Sequence, residues 1–108
     1  MTLNAEGNED GKIVVEVDPD LEDLIPGYLQ NRQKDVEDIR EALNVQDFEL
    51  IQRMGHTMKG SGGGYGFDFI SAIGLNLEEG AKETSVEKIQ DAVKDLCDFL
   101  ERVDVVYK

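Results

Sequence analysis

Apolar residues recur every three or four positions through most of the chain, in four stretches separated by short polar connections. The cleanest of these stripes is the last, formed by Val86, Ile89, Val93, Leu96, Leu100 and Val103. This spacing is typical of amphipathic helices that each bury one face. Short connections make successive helices antiparallel neighbours. The pattern therefore predicts an all-α fold, an up-down antiparallel four-helix bundle.

A short extra helix is predicted just before the bundle. Asp18 can cap it and Pro19 suits its first position. The Pro26-Gly27 pair is expected to break or kink the chain, because proline cannot continue a helix without disrupting it. The sequence thus predicts one short helix over residues 19–25 and a longer one after it.

Capping signals mark the other connections. Asn44 is expected to close the long helix in a left-handed conformation, and Asp47 to cap the next helix. Thr84 and Glu87 have the spacing of a capping box, with Thr84 as the N-cap of the last helix.

The N-terminus differs from the rest of the chain. Residues 1–11 are polar and acidic, which predicts a flexible tail. Residues 12–17 are β-prone, but no second strand is evident for them to pair with. The expected division is therefore a tail and extended arm over residues 1–17 and a helical domain over residues 18–108.

Charge excludes several classes of function. Lys and Arg number 11 against 24 Asp and Glu, a formal net charge of −13. A domain with this negative charge repels phosphate backbones and anionic membrane surfaces. We therefore expect neither nucleic acid nor a membrane as a partner. No apolar run approaches the roughly 18 residues of a membrane span. We expect a soluble, cytoplasmic protein.

Five glycines fall within the seven positions 60–66. They predict a loop, since each glycine in a helix costs roughly 1 kcal/mol relative to alanine. The alternative is that the third stretch stays helical through part of this segment, with its surface cleared of side chains. Such a cost would be carried where something must approach the backbone closely.

His56 is the only histidine in the chain. Helical geometry places it roughly 145° from the apolar face of its stretch, and therefore towards solvent. Gly60 and Gly63 fall on the same outer side, within about 40°, and Lys59 can lean towards the ring from one turn away. An uncrowded imidazole beside a cation can act as a nucleophile, and phosphate is the anion that best suits the pair.

The segment Gly55-His56-Thr57-Met58-Lys59-Gly60-Ser61, with Gly66 ten residues beyond the histidine, resembles a histidine-containing phosphotransfer (HPt) domain. That family carries H-x-x-K-G, followed by a later glycine, on the second helix of a four-helix bundle. The similarity extends over residues 18–104 and includes the Leu24-Ile25-Pro26 entry and the Leu77-Glu78-Glu79 run.

The resemblance implies a role for each matching residue. His56 would be the phosphoacceptor, Lys59 would steady the phosphoryl group, and Gly60 would leave room for it. The expected docking residues for a partner are Gln52, Gly55, Gly63, Gly64 and Phe67. For Phe67, packing inside the end of the bundle is an equally good interpretation, because aromatic side chains tend to be buried.

The implied mechanism is a phosphorelay. His56 would take a phosphoryl group from a receiver-domain phospho-aspartate and pass it to another receiver aspartate, without autokinase activity. The protein would be a monomer, and its partners would be response-regulator receivers or a hybrid histidine kinase. Mg²⁺ would be bound by the receiver and no cofactor or metal by this domain. The alternative is a non-catalytic helical adaptor that binds the same partners.

Overall fold

The computed structural model describes residues 11–108. In chain order its elements are β1 (Ile13–Val17), a 3-10 helix (Pro19–Leu24), α1 (Ile25–Asn44), α2 (Phe48–Gly64), α3 (Asp68–Lys82), α4 (Val86–Arg102) and β2 (Val103–Tyr107). The four predicted helices are therefore confirmed. The N-terminal tail predicted over the first ten residues lies outside the described part of the chain.

The helices pack around a single apolar core. Contacts run from α1 to α2, from α2 to α3 and from α3 to α4, and α4 closes the ring against α1. The residues with no exposed surface are Ile39, Ile51, Ile70, Leu77, Ile89, Leu96 and Phe99. All of them except Phe99 lie on the predicted apolar stripes, so burial of those stripes holds the bundle together. In α4 the fully buried residue is Phe99, whereas the predicted Leu100 is only partly buried.

The short helix predicted over residues 19–25 is a six-residue 3-10 helix over Pro19–Leu24, and Ile25 already belongs to α1. Its cap is as predicted, because the Asp18 carboxylate accepts a hydrogen bond from the Asp20 backbone N–H. Pro26 and Gly27 do not interrupt a helix, because they lie in the first turn of α1. Proline is tolerated there because the first-turn N–H groups have no partner within the helix.

Two of the predicted caps are displaced by a residue or two. Asp47 caps α2 as expected, with its carboxylate 3.1 Å from the Leu50 backbone nitrogen. The left-handed residue of the α1–α2 connection is Gln46, at φ 57°, rather than Asn44. Thr84 occupies the corresponding position before α4, at φ 49°, so Ser85 and not Thr84 caps that helix. Each reversal of the chain takes its left-handed residue just before the cap.

The expectation that residues 12–17 lack a strand partner is wrong. β1 pairs in parallel with β2, in a register that runs from Ile13 opposite Val103 to Val17 opposite Tyr107. Val103 continues the apolar spacing of α4, which conceals the end of the helix at Arg102. The inner residues of both strands pack against the core. The arm is therefore part of the fold.

The glycine-rich segment follows the helical alternative. α2 continues through Gly64, and Tyr65 caps it. The chain turns at Gly66, whose φ of 92° lies in the left-handed region that favours glycine. Only the last two residues of the predicted loop are outside the helix, so the surface of α2 beyond His56 is helical backbone with few side chains.

Candidate functional site

His56 lies on the outer side of α2. Its side chain is 68% exposed, while Ile51 and Met58 on the opposite face are buried. The geometric expectation for the histidine is thus confirmed. Lys59, one turn further on, is partly exposed beside it.

Glycines bring α2 and α3 into backbone contact next to His56. A Cβ atom on Gly55 would lie 2.7 Å from the Gly74 carbonyl oxygen and 2.6 Å from the Glu78 backbone nitrogen. A Cβ atom on Gly62 would lie 2.6 Å from the Ser71 backbone nitrogen. These distances leave no room for a side chain, so both glycines are required by the helix contact. The contact places Glu78 directly beside the histidine.

Glu78 is the buried charged residue of the described chain, and it connects the whole site. Its Oε2 atom lies 3.1 Å from His56 Nδ1, and its Oε1 atom lies 2.8 Å from Lys59 Nζ. A third cation, Lys82, has its Nζ atom 3.9 Å from Oε2. A carboxylate so little exposed requires such partners, because burial of an unpaired charge is costly.

The ionised form of Glu78 is the favoured one. Its pKa is lowered from the ordinary value, chiefly by the hydrogen bond with Lys59 and further by His56, and these effects outweigh the opposing effect of burial. An ionised carboxylate can only accept hydrogen bonds, so the Nδ1 atom of His56 must carry the proton of this contact. The lone pair of the neutral ring is then on Nε2.

Ser71 fixes the far half of the α2–α3 contact. Its hydroxyl accepts a hydrogen bond of 2.7 Å from the Gly63 N–H and donates one of 2.7 Å to the Lys59 carbonyl. The hydroxyl therefore bridges two backbone groups that are four residues apart on α2. This bridge holds the backbone of Lys59 to α3.

Two of the predicted docking residues are buried. Phe67 is 1% exposed and stacks on Tyr28, with the ring centroids 5.7 Å apart. Gly55 is buried in the contact between α2 and α3. Neither residue offers exposed surface to a partner in this structure. The alternative interpretation of Phe67, packing at the end of the bundle, is the observed one.

The other predicted residues lie at the surface near His56. Gln52 is partly buried one turn before it, and Gly60, Gly63 and Gly64 are exposed beyond it. A Cβ atom on Gly60 or Gly64 would meet nothing within 4 Å, so the space above this part of α2 is open. The outer surface of α2 therefore leaves His56 accessible.

Sequence reasoning missed two residues of this surface. Glu78 reads as one of many helical carboxylates, and its position in the Leu77-Glu78-Glu79 run was the only available signal. Leu75, three residues before Glu78 on α3, is 40% exposed. Residues three apart share a helix face, so Leu75 adds an exposed apolar group on the side of α3 that carries Glu78.

Comparison with known families decides what kind of domain this is. The family model of the Hpt domain matches residues 23–104, which is most of the chain. The chain belongs to the Hpt domain family. Hpt domains act in phosphotransfer within two-component phosphorelays and interact with receiver domains of response regulators and with kinases. No curated protein and no solved structure gives a significant match.

Two further observations on this Hpt domain concern metal ions and membranes. Within residues 11–108, no three or more His, Cys, Asp or Glu side chains are grouped so that they could hold a metal ion. Nor does the described part of the chain contain a helix long and apolar enough to cross a membrane.

Proposed function

We propose that this Hpt domain is a phosphorelay intermediate in which Nε2 of His56 carries the phosphoryl group. The observation that supports the proposal is the hydrogen bond between His56 Nδ1 and the buried Glu78 carboxylate. It fixes the tautomer in which Nε2 has the lone pair, on a side chain that is 68% exposed. A nucleophile needs this combination of access and a defined protonation state.

The transfer step balances without a cofactor on this chain. The Nε2 lone pair attacks the phosphorus of a receiver phospho-aspartate, the Nε2–P bond forms, and the P–O bond to the aspartate breaks to release its carboxylate. The ring then carries a positive charge, and Glu78 stabilises it through the Nδ1–H. Lys59 lies where its ammonium can move towards the new phosphoryl oxygens. Return of the group to a second receiver aspartate reverses these steps.

Mg²⁺ belongs, in this proposal, to the partner receiver. Positioning and charge stabilisation are the main requirements of phosphoryl transfer, so a domain with few reactive groups can serve as one half of the site. The receiver would dock on the exposed surface formed by Gln52, Gly60, Gly63, Gly64 and Leu75. Small residues on α2 let it approach the imidazole closely, and Leu75 supplies an apolar contact.

Label transfer tests the proposal. Receiver domains from the same genome, phosphorylated with radioactive phosphate, are mixed with the wild-type domain and with His56→Gln. We expect acid-labile, alkali-stable label on the wild type, none on His56→Gln, and slower transfer to Lys59→Ala. Label retained by His56→Gln would refute the site. Receiver binding without any transfer would refute the relay and support the adaptor alternative.

A further inference from the structure

Lys82 is a second cation beside Glu78, whose charge is already paired with Lys59. It is the last residue of α3, and its side chain is 57% exposed. Its Nζ atom is 3.9 Å from Glu78 Oε2, the same oxygen that accepts from His56 Nδ1. Lys82 is therefore separated from the imidazole by one carboxylate oxygen.

The charges around Glu78 do not balance in the unphosphorylated protein. With a neutral imidazole, Lys59 alone offsets the single charge of Glu78, at a distance of 2.8 Å. Lys82 then leaves the cluster with one surplus positive charge, within a domain of net charge −13. A phosphoryl group adds about 1.5 to 2 negative charges at neutral pH, which is the charge that the surplus would meet.

We infer that Lys82 is a second phosphoryl-binding cation, held beside His56 by Glu78 until the phosphoryl group arrives. Its long, half-exposed side chain can turn from Oε2 to the phosphoryl oxygens without a backbone movement. Glu78 continues to accept the hydrogen bond from His56 Nδ1–H. One of the two lysines can then remain paired with Glu78 while the other binds the phosphoryl group. This inference rests on the proposed function, since it needs His56 to be phosphorylated.

A purely structural role for Lys82 predicts something different. A lysine in the last turn of a helix interacts favourably with the helix dipole, and Glu78 and Lys82 form an i,i+4 pair. Both effects alter stability only. A phosphoryl-binding role alters the properties of the phosphohistidine itself, which stability measurements do not detect.

The test uses phosphoramidate, a small-molecule phosphoryl donor, so no receiver is required. Wild type, Lys82→Gln and Lys82→Arg are phosphorylated, and the phosphohistidine is followed by 31P NMR. In Lys82→Gln we expect the pH midpoint of the phosphoryl resonance to rise by about half a pH unit, because a nearby cation favours the dianion. We also expect the phosphoryl group to be lost about threefold to fivefold faster. Lys82→Arg should restore both values.

The matched control is Lys34→Gln. Lys34 also forms an i,i+4 pair, with the partly exposed Asp38 on α1 at 3.2 Å, and its substitution changes the net charge equally. We expect wild-type values for this variant. An unchanged midpoint and lifetime in Lys82→Gln, or equal changes in Lys34→Gln, would overturn the inference while leaving the proposed function intact. Failure of wild-type His56 to take up phosphate would overturn the proposed function itself.

Discussion

The backbone contact between α2 and α3 predicts that the same substitution has opposite effects at two glycines near His56. A Cβ atom on Gly74 would lie 2.7 Å from the Gly55 carbonyl oxygen and 2.9 Å from Lys59 Cα, whereas one on Gly60 would meet nothing within 4 Å. Alanine in place of glycine favours a helix by about 1 kcal/mol at either position. Only the contacts of the added methyl group differ, so they decide whether the substitution lowers or raises the free energy of unfolding.

The magnitude at Gly74 follows from that geometry. Ordinary contact begins at 3.4 Å, so the Gly55 oxygen alone requires α2 and α3 to separate by about 0.7 Å to accept the methyl group, and the nearer Lys59 backbone nitrogen requires more. Overpacking costs about 1–3 kcal/mol, and the upper end applies here because the obstructing atoms are backbone. After the gain in helix propensity, Gly74→Ala should lower the free energy of unfolding by about 2 kcal/mol. Gly60→Ala should raise it by up to about 1 kcal/mol.

Urea unfolding followed by circular dichroism measures both changes. With a slope of about 1 kcal/mol per molar urea, the midpoint should fall by about 2 M for Gly74→Ala and rise by as much as about 1 M for Gly60→Ala. Phosphoryl transfer should slow in both variants. Gly74→Ala moves Glu78 away from His56, and Gly60→Ala narrows the space beside the imidazole. A Gly74→Ala protein as stable as the wild type, with an unchanged slope, would refute the packing argument.

Three further substitutions test other parts of the structure. Glu78→Gln should cost most stability above pH 4.5 and progressively less below it, because the carboxylate whose pKa is lowered stabilises the fold only while ionised; equal losses at all pH values in urea unfolding would contradict this. Val17→Ala should lower the free energy of unfolding by about 2–3 kcal/mol, since Val17 is 2% exposed in β1; a loss under 0.5 kcal/mol in thermal unfolding would mean that β1 adds little. Tyr28→Phe should cost about 1 kcal/mol, because it removes only the 3.1 Å hydrogen bond to Ser61 and keeps the ring stacking; a cost like that of a core truncation would show that the hydroxyl does more.

The helices and the exposed histidine were predictable because both depend on local periodicity. The spacing of apolar residues fixes which side of α2 is buried, and that places His56 outside. Asp18 and Asp47 cap as expected, since a cap needs only its own first turn. The family resemblance added the identity of the domain, which the Hpt match over residues 23–104 confirms.

What sequence reasoning missed depends on contacts between distant segments. The pairing of β1 with β2 joins opposite ends of the chain. Residues 103–107 are rich in strand-favouring residues, but Val103 also continues the spacing of α4, which hides the start of the strand. Glu78 is 22 residues from His56 and meets it only because Gly55 and Gly74 let two helices touch. A carboxylate that pairs across such a contact has the same local pattern as one that faces water.

The parallel pairing of β1 with β2 also has a consequence for the order of folding. Ile13 and Val103 are about 90 residues apart, and the Arg102 side chain donates to the Gly11 carbonyl across a similar separation. Closing so long a loop in an unfolded chain is entropically costly, whereas most of the helical contacts are between helices adjacent in sequence. The bundle should therefore assemble first and bring the two strands together, so that the strand pair is the last part of the native contact map to form. A probe placed on β1 would then report completion of folding rather than its onset.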